Sequence, residues 1–114
     1  MKIELKDSLG KLPLPPTTKW PEGVWDVEAL RHGSMSLILF APEGKDYQTP
    51  HTQDELYFVV DGSGVLEVEG KQFDFNQGDA LFVKAGETHK FTKISKGLKM
   101  WAVFWGQEGG EKDV

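Results

Sequence analysis

Glycine-marked turns cut residues 24–105 into short pieces, and this constrains the fold more than anything else in the sequence. Gly62-Ser63-Gly64, Gly70-Lys71, Asn76-Gln77-Gly78, Gly86-Glu87 and Lys96-Gly97 separate runs rich in Val, Phe, Trp, Leu and Ile. The runs 24–30, 34–41, 55–61, 65–69, 72–75, 80–84, 89–94 and 98–105 are predicted strands. No segment carries a 3.6-residue apolar period. Short strands at regular spacing predict an all-β sandwich or small barrel with little or no helix. Gly70-Lys71 is expected to be a tight hairpin turn, with positive φ at Gly70.

Side-chain alternation says which faces are wet. Gln72 and Asp74 interleave with Phe73 and Phe75, and Glu67 and Glu69 with Leu66 and Val68, so those strands bury one face. The runs 56–60 and 100–105 are apolar on both faces, and both must be covered. Leu56, Phe58 and Val60 fall opposite Glu55. Covering them predicts a homodimer, with the N-terminal arm laid over its own subunit or across to the partner. Residues 1–23, with Pro13, Pro15, Pro16 and Pro21, read as an extended arm, because proline fixes φ and removes donors. Residues 24–105 form the barrel, and 106–114 a frayed polar tail.

The 114 residues suit one core, burying roughly 60–70% of the unfolded surface. Formal net charge is −5, with no basic block, which argues against nucleic acid as a partner. The absence of cysteine removes thiolate chemistry and fits a reducing cytoplasm. No apolar run is long enough to cross a bilayer as a helix. The expectation is a soluble cytoplasmic protein that binds a small molecule.

Two stretches carry the candidate chemistry. Residues 44–62 contain His51, Gln53, Asp54, Glu55 and a closing Gly62; residues 78–89 contain Gly78, Gly86 and His89. Together they offer two imidazoles and a carboxylate. These stretches resemble the two motifs of the cupin superfamily, small single-domain jelly-roll β-barrels. Glu55 and Gly62 keep the Glu-x6-Gly spacing, His51 matches the second motif histidine, and Gly78, Gly86 and His89 match the second motif. Thr49 stands where the first histidine would be, Gly44 is one residue off, and Lys84 and Lys93 replace a proline and an asparagine. The resemblance implies a divalent transition metal held by His51, Glu55 and His89, with Gln53 or water in the vacant place. It also implies a dioxygenase, isomerase, epimerase or lyase. The alternative is a non-catalytic module for a sugar or small acid, with or without a degraded metal site.

Elementary geometry adds one condition. On a straight strand His51 and Glu55 would lie about 13 Å apart, too far to share an ion, so the chain must bend at Thr52-Gln53-Asp54. Two histidines and one carboxylate suit Fe, Mn, Ni or Zn and leave open positions. Tyr57 and Asp54 are the candidate proton-handling groups, with Tyr47 and Lys84 behind them. Tyr57, Phe91 and Trp101 are candidate pocket walls, although barrel interiors are filled by such side chains anyway. His32 reads as an exposed turn residue.

Overall fold

The computed structural model describes residues 1–43 and 51–112. Gly44, Tyr47 and Thr49 lie outside these residues. One short helix, α1 (Leu5–Leu9), precedes eight strands: β1 (Asp26–His32), β2 (Met35–Phe40), β3 (Asp54–Asp61), β4 (Gly64–Val68), β5 (Lys71–Phe75), β6 (Ala80–Val83), β7 (His89–Thr92) and β8 (Lys99–Trp105). They form an antiparallel jelly-roll barrel. One sheet has the order β1-β2-β8-β3-β6 and the other β5-β4-β7.

The core lies between the sheets. On β3, Glu55, Tyr57 and Val59 are buried while Phe58 and Asp61 are exposed; on β8, Met100, Ala102 and Phe104 are buried. Register makes these one surface, since Glu55 opposes Phe104, Tyr57 opposes Ala102 and Val59 opposes Met100. From the smaller sheet come Leu66, Val68 and Phe91. Phe91 stands at the centre, 5.1 Å from Tyr57 edge-on and 5.8 Å from both Phe40 and Phe75. Each such fully buried apolar side chain contributes about 1.5–3 kcal/mol.

Two expectations change. The β4–β5 turn is Glu69-Gly70, not Gly70-Lys71: both residues have positive φ (49° and 81°), and Val68 opposes Lys71. Right-handed strand twist favours a mirror-image turn of this kind, and here Glu69 accepts the unusual φ. The proline-rich arm is not extended throughout, because α1 forms ahead of the prolines and packs on β2. Leu39 of β2, which faces outward with Trp101, is fully buried there. The arm then pairs Leu14 with Val24 before β1 begins. Among the described residues no helix is long and apolar enough to cross a membrane.

Gly62 is required by close approach as well as by its φ of 95°. A Cβ there would come within 2.7 Å of the Ser95 hydroxyl and 2.9 Å of the Leu98 backbone.

Candidate metal centre

The bend required by sequence falls where expected. The chain turns at Thr52 and Gln53 before entering β3. Two contacts hold it: Gly86 N–H donates to the His51 carbonyl at 3.0 Å, and Gly109 N–H donates to the Thr52 carbonyl. Gly86, at φ 79°, belongs to the 84–87 turn after β6, which closes by Glu87 N–H to the Lys84 carbonyl. That turn leads directly into β7 and His89. One loop therefore fixes both histidines.

His51 Nε2 lies 3.8 Å from Glu55 Oε2, and His89 Nε2 lies 3.1 Å from Glu55 Oε1. Two donors bound to one ion at about 2.1 Å stand roughly 3–4 Å apart, so both separations suit shared coordination. The Glu55 and His89 side chains are almost completely buried, whereas His51 is 33% exposed and forms the accessible edge. A buried carboxylate is costly unless compensated. Tyr57 Oη donates to Glu55 Oε2 at 2.9 Å, and the imidazoles stand on either side. The Nδ1 of His89 is 3.2 Å from the Glu87 carbonyl; a donor there leaves Nε2 with its lone pair. That Nε2 is buried and has no hydrogen-bond partner among the described residues, although a Glu55 oxygen lies 3.1 Å away. Burial, then the neighbouring His89, push the His51 pKa down and favour a neutral ring. The chemistry of this donor set fits a divalent ion. Among the described residues, no group of three or more His, Cys, Asp or Glu side chains is arranged so that it could hold a metal ion as it stands.

The remaining candidates are distributed differently. Gln53 commits its amide nitrogen to the carbonyls of Gly106 (2.8 Å) and Ser34 (3.1 Å), tying the β1–β2 turn to the end of β8. Asp54 precedes Glu55 on β3, and alternation turns it the other way. Its carboxylate accepts from Glu111 N–H at 2.9 Å and Ala85 N–H at 3.0 Å, and these bonds hold its pKa below the usual aspartate range. Trp101 opposes Phe58 on the outer face and does not reach the site. Phe91 is central core, one layer beneath. Tyr57, fully buried, is the floor under Glu55.

Sequence reasoning missed the walls. His51 packs against Phe104 with ring centroids 4.4 Å apart and the ring planes tilted by 49°. A cleft of about 160 Å³ opens beside them, lined by Arg31, Ser36, Ile38, His51, Thr52, Gln53 and Phe104. Alternation along 100–105 could have assigned Phe104 to the Glu55 face; nothing local announces Arg31 or Ser36. A larger hollow, near 340 Å³, is lined by Glu67, Glu69, Gly70, Thr88, His89 and Lys90.

The chain belongs to the cupin family, whose Cupin domain model matches residues 36–105. It is 39% identical over 80 residues to an uncharacterized protein of Streptomyces coelicolor, SCO3923, spanning 68% of this chain and 76% of that one. The fold is similar to EutQ of Clostridium difficile (TM-score 0.66, 15% identity, 96% of this chain and 82% of that chain). It is also similar to KdgF of a Halomonas species (TM-score 0.63, 15% identity, 73% and 80%).

Proposed function

We propose that this protein is a metal-dependent enzyme built on a small cupin barrel, acting on a small polar ligand that chelates through two oxygens. The observation that carries this reading is the buried Nε2 of His89, without a hydrogen-bond partner among the described residues and 3.1 Å from a Glu55 oxygen. A lone pair facing a carboxylate oxygen calls for a cation or a proton between them. His51, Glu55 and His89 would hold one divalent transition ion such as Fe, Mn, Ni or Zn, with positions left open. Bound there, the ion would polarise a ligand oxygen or activate dioxygen, which is the chemistry of dioxygenases, isomerases and lyases.

The chain's own residues supply positioning. Tyr57 orients Glu55 from below, the Glu87 carbonyl fixes the His89 tautomer, and Phe104 braces His51. Ligand access runs along the cleft on the exposed side of His51. The outer face of the large sheet, with Phe58 and Phe82 exposed, supports a homodimer. A chain without cysteine suits the reducing cytoplasm.

The test is metal uptake by protein purified without chelators. Wild type is expected to retain stoichiometric metal from a panel of Fe, Mn, Co, Ni, Cu and Zn, with a raised thermal midpoint. His51→Ala and His89→Ala should lose the metal and that increment while the metal-free fold persists. A wild type that takes up none of the panel removes the reading.

A further inference from the structure

The strand register places one residue of the cleft in an unexpected position. Arg31 opposes Ser36, Ser36 opposes Phe104, and Phe104 opposes Glu55. Directly opposed residues share a face, so Arg31, Ser36, Phe104 and Glu55 form one row across the inner surface of the large sheet. Three interstrand steps of about 4.8 Å put the Arg31 and Glu55 backbones roughly 14 Å apart along the sheet. Between them lie a small hydroxyl and a flat ring. The cleft occupies the space above these two.

Arg31 reaches this face with its partner because β1 is bulged. Residues three apart on a regular strand point to opposite faces. Here the register shifts between Glu28 and Leu30: Glu28 opposes Ile38, while Leu30 opposes Leu37. The extra residue, Ala29, returns Glu28 and Arg31 to the same side. Glu28 then takes the side edge of the guanidinium, Nε to Oε1 at 3.3 Å and Nη2 to Oε2 at 2.7 Å. The Ser36 hydroxyl donates to the same Oε2 at 2.6 Å. The other edge of the guanidinium, Nη1 and Nη2, has no partner among the described residues and is free to take a second carboxylate two-pronged. Arg31 is also the only arginine in the chain. Lysine could place a charge there but not a fork.

We infer that Arg31, held by Glu28 and Ser36, is a substrate-recognition residue that binds a carboxylate at the far end of the ligand whose other end chelates at His51, Glu55 and His89. This rests on the metal-centre reading above and narrows its substrate class to small acids with a carboxylate remote from the chelating oxygens. The cleft volume, about 160 Å³, approximates that of a cavity known to accept benzene, so the ligand has only a handful of heavy atoms.

Malate and lactate are the probes. Both offer a hydroxy-acid chelate, and only malate adds a remote carboxylate. Calorimetry on metal-loaded protein is expected to show malate binding about tenfold tighter than lactate, the scale of a charge-assisted two-pronged contact. Arg31→Gln should erase that preference without changing lactate affinity or metal content, and Arg31→Lys should restore part of it. A single arginine gives a single Nε–H resonance, which malate should shift and lactate should not. An unmoved resonance at saturating malate, or the same malate preference in Arg31→Gln, overturns the assignment, as does the absence of malate binding. Metal content is measured on the same samples. If no metal is retained, the metal-centre reading fails, while the malate shift of Arg31 in metal-free protein still decides the present one.

Discussion

The two faces of the large sheet use the same strands for different ends. On β3 the inner face presents Glu55, Tyr57 and Val59, and the outer face Leu56, Phe58 and Val60. On β8 the inner face presents Met100, Ala102 and Phe104, and the outer face Trp101, Val103 and Trp105. The inner face grades from apolar core into a polar row at the mouth, where each charge has an assigned partner. The outer face stays apolar to its edge: Phe58 is 45% exposed, Phe82 is 53% exposed, and Phe82 lies 6.2 Å from Trp105. Among the described residues, α1 packs on the β2 side of this sheet. The same alternation that builds the site therefore leaves an exposed apolar face for the proposed dimer.

The largest expected effect tests the outer face. Replacing Phe58 and Phe82 together by Glu should convert the proposed homodimer to a monomer near 12.8 kDa by light scattering, with metal content intact. A wild type already monomeric at tens of micromolar would show that the face needs no second copy. Next, Met100→Ala and Trp101→Ala compare adjacent residues on opposite faces. Met100 is fully buried, so its truncation should cost about 3 kcal/mol in denaturant unfolding. Trp101→Ala should act chiefly on dimer affinity; equal unfolding losses at limiting dilution would abolish the distinction.

The smallest effect concerns Asp54, which turns from the inner face to tie down Ala85 and Glu111. Asp54→Ala should cost about 2 kcal/mol near neutral pH, the scale of hydrogen bonds to a charged acceptor. The Glu111 N–H, then the Ala85 N–H, lower its folded pKa. Its stabilisation is therefore complete above the usual aspartate value, about 3.9, and is lost as pH falls through the folded value. Wild-type and variant stabilities should converge in acid. A constant gap down to the lowest measurable pH would assign the effect to packing.

Much of the barrel was legible along the chain. All eight strands, the two-faced character of β3 and β8, and the bend at Thr52 and Gln53 followed from alternation, glycine spacing and the reach of a strand. His51, Glu55 and His89 were identifiable as donor types. The surroundings of Gln53, Asp54 and Trp101 were not legible for one reason: they are set by groups distant in sequence. Gly106 takes Gln53, Glu111 takes Asp54, and the Phe58 register fixes Trp101 outside.

The sequence by itself determined the strand set, the turn positions and the donor chemistry, because these depend on contacts a few residues apart. Only the tertiary structure decided which donors meet, since His89 reaches Glu55 from the opposing sheet. It also decided that Arg31 joins the row of Glu55. That placement depends on the order β1-β2-β8-β3 and on one extra residue at Ala29, and both are properties of interstrand pairing, which a linear pattern does not encode.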